Sequence, residues 1–483
     1  MLLALMMAEA TLSLQTTMIY SVLPKLNVVF SGSEALGWIV SGKLLSSAIA
    51  AAASGPLGDL FGRRRLLCWS LALTALGGLV SGMGSTVSIV LAGALLQGAS
   101  GTALPLGVAL VRDHVAAAKV PMSISIVVMA ATVSGAAGLV IGGLLVDHVG
   151  WASIFLFIAG FAASAMAAVI LTVPTTVIGS GVGRKVRVVK GLLFAPGVAG
   201  LLMTVSKAED WVIGDWRLLS LFGVSLAALA AWAAGQLRES DPLINLRLLA
   251  DRRIAFTNLC MLVIAIGTMQ HALILSMYAQ QPLSTGTGLG LTAAAAGMIL
   301  MPARLIGVVA SPAGGWLASR MNAHITLVVG CALTVIGWTA IFLGRAHLPF
   351  LLSGMLLEAS GFIIAYAAMP IILLDAAPEE RSGEVLGVYT LCRSVGAALG
   401  AQLVIAVLTF DTVPGPLAKG RFPGSSAYDL CFLFILGTCI VATVFAVAIP
   451  YRRASSKLEM EASPGAGAPH ARVGDIPGED VLP

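Results

Sequence analysis

The chain has 483 residues, 58% of them hydrophobic and only 11% charged, with a formal net charge of +5. Soluble domains carry about 25% charged residues, so a soluble globular domain is excluded. The positive residues lie in short loops between apolar runs, which excludes a basic nucleic-acid-binding face.

Apolar runs of about 20 residues recur along the chain, each long enough to cross a ~30 Å hydrocarbon core as a helix. A backbone in lipid must satisfy its own hydrogen bonds, so helices are predicted throughout. In chain order, spans are predicted at 2–24, 36–57, 66–84, 87–111, 121–146 and 152–173. Two more follow at 191–206 and 218–236, then six at 254–280, 288–311, 325–344, 348–374, 384–410 and 428–449. The first has no basic leader or small-residue cleavage site and is predicted to be a retained span. This grouping predicts an N-terminal six-helix bundle at 1–173 and a linker with two inserted helices at 174–253. A C-terminal six-helix bundle at 254–450 and a disordered tail at 451–483 complete it. With Met1 inside, the inner loops hold 17 Lys and Arg against 6 in the outer loops, which predicts two cytoplasmic termini.

The stretch GPLGDLFGRRRLL (55–67) concentrates charge between the second and third spans. Gly55, Gly58 and Gly62 permit tight turning, and Asp59 can pair with Arg63, Arg64 and Arg65 or face a helix N-terminus. Such a cluster is predicted to gate the cytoplasmic side. By contrast GWIVSGKL (37–44) falls one residue short of a phosphate-binding loop and lies inside a span, so no nucleotide site is predicted. The six cysteines (Cys68, Cys260, Cys331, Cys392, Cys431, Cys439) show no metal or redox spacing and read as buried hydrophobes. No metal, cofactor or enzyme chemistry is expected.

Gly55, Leu57, Asp59, Gly62, Arg63, Arg64 and Leu67 fall on the G-x-L-a-D-r-x-G-r-k-x-x-l signature, and here the chain resembles the major facilitator superfamily. A second copy, GGWLASR (314–320), follows the tenth span, with Ser319 where the family often has Asp. Two six-helix halves with an inserted pair resemble the fourteen-helix drug:proton antiporter group over about residues 1–450. LQTTMIYSVLP (14–24) is similar to that group's span-one motif, with Gln15 for Asp and Tyr20 for Asn. LAGALLQGASG (91–101) resembles the span-four motif, with Ala94 in the place of Arg. SGAAGLVIGG (134–143) resembles the antiporter motif of span five, with Gly138, Gly142 and Gly143 in place and Leu139 for Pro. The resemblance implies an all-α polytopic fold with a substrate cavity near the midplane, for which Gln15, Tyr20, Lys43, Gln97 and Gln270 are candidates.

Ionisable side chains inside a membrane are expensive and each is a candidate for function. Glu9 lies about 10 Å from the inner end of its span and reads either as a residue in contact with interfacial water or as a functional group. Lys43 is as far from the outer end of span two, so it either snorkels outward or shares a cavity with Gln15. Arg304 is expected to pair with loop carboxylates and Arg393 with Asp375 or Glu384, both as structural charges. His271 reads either as packing or as a proton relay. Glu358 lies about 15 Å into span twelve, where it can neither snorkel nor reach a loop. It is therefore the predicted proton carrier, with Glu9 and His271 as further candidates, the bland alternative being a neutral Glu358 bonded to a neighbouring helix.

The sequence is thus read as a secondary active exporter of amphiphilic or hydrophobic small molecules, driven by proton antiport. A monomer in the bacterial inner membrane is expected, with lipid, a small molecule and protons as its partners. Two alternatives stay open: an importer of the same fold, or a transport-inactive receptor or regulator, prompted by Gln15 and Ala94.

Overall fold

A computed structural model describes residues 1–30, 35–116, 119–174, 194–207, 215–239, 242, 246–345, 347–377, 382–414 and 421–450. The side chains of Asp59, Ser319 and Glu384 and the predicted tail lie outside the described residues. Met1–Ile449 form one compact unit.

The first part of the chain comprises α1 (Leu2–Val29), α2 (Ala35–Phe61), α3 (Arg63–Gly82), α4 (Val87–Gln97), α5 (Ala103–His114), α6 (Val120–His148) and α7 (Ala152–Thr172). Next come α8 (Phe194–Lys207) and α9 (Trp216–Arg238). The remainder is α10 (Arg252–Ile266), α11 (His271–Gln280), α12 (Ala293–Leu305), α13 (Gly307–Met321), α14 (Ala323–Gly344), α15 (Leu348–Ala376), α16 (Ser382–Phe410) and α17 (Ser425–Ala448). A short antiparallel pair, β1 (Thr412–Pro414) and β2 (Arg421–Pro423), precedes α17.

Among the described residues, 12 helical segments are long and apolar enough to cross a membrane. The expected second span coincides with the 27-residue α2. The expected seventh is the 14-residue α8, about 21 Å long at ~1.5 Å per residue and short of the hydrocarbon thickness. It packs at the seam of α2 and α16, where Trp38 Nε1 donates to Ser206 Oγ at 3.2 Å. Outside it, α9 exposes Trp216, Leu219 and Val224, the apolar surface of a lipid-facing helix.

The charged stretch at 55–67 contains a much tighter break than its glycines suggest. α2 runs through Gly55 and Gly58 to Phe61, α3 starts at Arg63, and Gly62 alone forms the joint at φ 88°. Likewise the second copy does not follow a span but lies within α13, and Asn322 forms the joint to α14 at φ 96°. Asn322 is the one non-glycine residue at positive φ among those described, and it stands where Gly62 stands in the first copy. Its side chain offsets part of the strain by capping α14 through His324 N at 2.8 Å. Arg63 pairs with Asp113 at the end of α5 at 2.6 Å, and Arg64 donates to the Ile170 carbonyl in the last turn of α7 at 2.6 Å. The arginines thus tie α3 to neighbours within the first part of the chain.

Of four hydrophobic clusters, one around Leu45, Phe194, Leu202 and Ala398 seats α8 on α2 and α16, and the other three define the shape. The largest joins Met18, Leu23 and Val40 of the first part to Leu273, Tyr278 and Val404 of the last. Near Met1 the clusters are separate, one around Ala4, Leu5, Leu67 and Leu106, another around Ile254, Leu327, Met369 and Val385. The two parts therefore close on each other at the face bearing Val29 and separate toward the face bearing Met1.

Candidate functional site

The cleft between the two parts can be traced along α1. Leu2, Met6, Ser13 and Thr16 are partly exposed on one face, with Glu9 and Ala10 buried between them, and Tyr20 above Thr16 on that face is buried. The Tyr20 backbone carbonyl accepts from Ser276 Oγ of α11 at 3.0 Å.

The closed face is held by contacts between elements distant in sequence. A Cβ on Gly142 would lie 3.1 Å from Met18 Cα, which seats α6 on α1. A Cβ on Gly138 would stand 2.8 Å from the Leu14 carbonyl oxygen along the same contact. Gly143 faces the other way, against the Ala293–Ala294 backbone at the start of α12. There the Asp147 carboxylate accepts from Ala294 N at 2.8 Å and Ala293 N at 3.2 Å, while Thr292 Oγ1 accepts from Ala295 N. These bonds satisfy three of the four free N–H groups of a helix start. Ser41 Oγ donates to Gln402 Oε1 at 2.8 Å, joining α2 to α16. The span-five glycines thus serve two interfaces.

Glu358 lies at the centre of the site. It is 0% exposed, and neither carboxyl oxygen has a hydrogen-bond partner among the described residues. His271 Nδ1 stands 4.0 Å away, and Arg304 acts on Glu358 and on Tyr20 electrostatically. Gly337 of α14 makes this approach possible, since a Cβ there would lie 2.6 Å from Glu358 Cα. Four elements, α1, α11, α12 and α15, so bring Tyr20, His271, Arg304 and Glu358 together. Arg304 thus lies within electrostatic reach of Glu358 and Tyr20, and among the described residues no loop carboxylate acts on it.

For two other charges the structure decides between open alternatives. Glu9 is buried at 4% exposure, not bathed at the interface, and lies within electrostatic reach of Arg393 on α16. Arg393 is also influenced by Tyr366 and Tyr389. Lys43 does not snorkel: it is 2% exposed, and its Nζ donates to Thr16 Oγ1 at 3.1 Å. That bond joins α2 to the cleft stripe of α1.

The glutamines are engaged by their surroundings. Gln15 donates to Ser100 Oγ and to the Gln97 carbonyl, and Gln97 donates to Ser81 Oγ at 3.1 Å. Gln270 donates to the carbonyls of Ala265 at 2.8 Å and Ala397 at 3.1 Å, bridging the helix break at Gly267. Each keeps a buried amide oxygen without a partner among the described residues.

The sequence profile of the Major Facilitator Superfamily matches residues 5–401. The chain is 27% identical over 406 residues to the tetracenomycin C resistance and export protein of Streptomyces glaucescens, covering 80% of this chain and 72% of that protein. It is 25% identical over 387 residues to the multidrug resistance protein Stp of Mycobacterium tuberculosis, covering 78% and 69%. A uridine/deoxyuridine transporter of Lactococcus lactis is 28% identical over 371 residues, covering 73% and 75%. Among solved structures, the xylose transporter of E. coli in a partially occluded inward-open conformation aligns with a TM-score of 0.62 at 14% identity, covering 95% of this chain and 98% of that one.

Proposed function

This chain belongs to the Major Facilitator Superfamily, and from that premise we propose that it exports amphiphilic or hydrophobic small molecules by proton antiport through alternating access. The observation that carries the reading is Glu358, buried without a hydrogen-bond partner among the described residues and within reach of Arg304. An isolated buried carboxylate is costly, whereas a neutral carboxyl or one facing a cation is tolerated. A group so placed can hold a proton in one state and, with Arg304 opposite, release it in another. The names of two relatives, concerned with antibiotic export and multidrug resistance, support efflux.

On this reading the excess of Lys and Arg in the inner loops supports a Met1 face turned to the cytoplasm, and we take the chain to act as a monomer in a bacterial inner membrane. The cleft then opens inward, as it must for an exporter to load. Substrate enters beside Thr16, Glu358 gives up its proton to the cleft, and the parts rock to open the far face. There Glu358 is protonated again, which resets the cycle. Glu358→Gln keeps shape and removes the titrating proton. In everted vesicles it should abolish dye uptake driven by a pH gradient while dye counterflow continues; gradient-driven uptake at the wild-type rate would refute the reading.

A further inference from the structure

Glu358 has a counter-charge but no hydrogen bond. Arg304 acts on it electrostatically, yet neither carboxyl oxygen has a partner among the described residues. A neutral carboxyl tolerates such a place better than a carboxylate, which needs donors as well as charge. The imidazole beside it does not supply one. His271 Nδ1 stands 4.0 Å from a Glu358 oxygen but directs its hydrogen at the Thr268 carbonyl, 3.1 Å away. The same contact makes Thr268 a neighbour of Glu358 across the ring. The Thr268 hydroxyl in turn meets Cys439 Sγ of α17 at 3.1 Å. The helix break permits this approach, because a Cβ on Gly267 would collide with the Thr438 hydroxyl of α17. Thr268 and Cys439, both buried, line a small cavity with Cys331, Thr334 and Phe362, roomy enough for about one water molecule. Phe362 is one turn from Glu358 on α15, and Thr334 is one turn from Gly337, the glycine of α14 against which Glu358 packs. The cavity therefore lies about one helical turn from Glu358, a distance that a glutamate side chain spans. Cys439 on its wall is within electrostatic reach of the carboxyl.

We propose that Thr268 and Cys439 are positioning residues for Glu358: when the carboxyl ionises, it turns toward the cavity, where this pair and one cavity water donate hydrogen bonds to it. A hydroxyl and a thiol in contact use one hydrogen between them and leave the other to an incoming acceptor. The titratable and charged groups facing Glu358 are His271 of α11, Arg304 of α12 and Cys439 of α17. Tyr20 of α1 stands beyond Arg304, and Cys331 of α14 lies across the cavity. Arg304 supplies the opposite charge and the Thr268–Cys439 pair the hydrogen bonds, so the proton can leave for the cleft without water entering from it. The inference rests on the reading of Glu358 as the titrating group and names what holds its ionised form.

Infrared difference spectra of the purified full-length chain in nanodiscs, recorded across pH, follow the Glu358 carboxyl band without substrate or gradient. Glu358→Gln identifies the band by removing it. Thr268→Val keeps the shape of the side chain and removes its hydroxyl. A donor favours the ionised form, so its loss should move the half-point of the titration by about one pH unit to the alkaline side, the scale of one hydrogen bond to a charged group. Cys439→Ala should move it the same way, and Thr268→Ser should return it to the wild-type value. In heavy-oxygen water the wild type should show an internal water band that changes with the same half-point and is lost in Thr268→Val. An unchanged half-point in both Thr268→Val and Cys439→Ala would overturn the proposal, as would a carboxyl band that does not titrate or a wild type without the water band. The shifted half-point in Thr268→Val, together with gradient-driven dye uptake by Glu358→Gln at the wild-type rate, would sustain the positioning pair and refute the exporter.

Discussion

His271 Nδ1 lies 4.0 Å from a Glu358 carboxyl oxygen but 3.1 Å from the Thr268 carbonyl oxygen. A carbonyl oxygen only accepts, so Nδ1 carries a hydrogen and directs it at the backbone. The ring is thereby tied to the helix break between α10 and α11 and has no short bond to Glu358. His271→Asn should keep proton-driven transport, with rates changed by about threefold or less, the scale of one lost neutral hydrogen bond. Loss of coupling with counterflow intact would instead make His271 part of the proton path.

The Asp147 carboxylate holds the first N–H groups of α12 across the closed face. A negative charge at a helix N-terminus contributes about 1 kcal/mol, so Asp147→Asn should favour opening of that face by roughly fivefold. The labelling rate of a cysteine placed at Ser276, in a background without native cysteines, reads this directly. An unchanged rate would show that the amide caps α12 as well as the carboxylate does.

Asn322 adopts φ 96° at the joint where the first motif copy has Gly62. Asn322→Ala loses the cap on His324 N and keeps the strain, and should lower stability by about 2 kcal/mol. Asn322→Gly loses the cap but relieves the strain and should be near neutral. Thermal unfolding in detergent separates them; equal midpoints for the two variants would mean the joint stores no strain.

Much of this was legible along the chain. Apolar runs set the helices, and counting from the start of α15 placed Glu358 deep before any neighbour was known. The span-five motif singled out Gly142 and Gly143, and the structure shows both in close backbone contact with neighbouring helices. Partners were not legible. Arg304 and Glu358, or Glu9 and Arg393, come within electrostatic reach through helix packing between distant segments, and hydropathy does not say which helix stands next to which. Lys43 illustrates the limit: its depth allowed either snorkelling or burial, and only the position of Thr16 on α1 decides between them. The break at Gly62 was hidden for another reason. Three glycines within eight residues suggest a loop, yet a helix accepts Gly55 and Gly58 at about 1 kcal/mol each.

Proton flux tests most directly whether Glu358 is the coupling group. The full chain is reconstituted in vesicles loaded with whichever of fluorescein or rhodamine 6G the wild type transports, with the membrane potential clamped and external pH recorded. Dye efflux through the wild type should draw protons into the vesicles and make the medium alkaline. Glu358→Gln should exchange dye across the membrane with no alkaline shift. Proton uptake by Glu358→Gln at the wild-type rate would contradict the account.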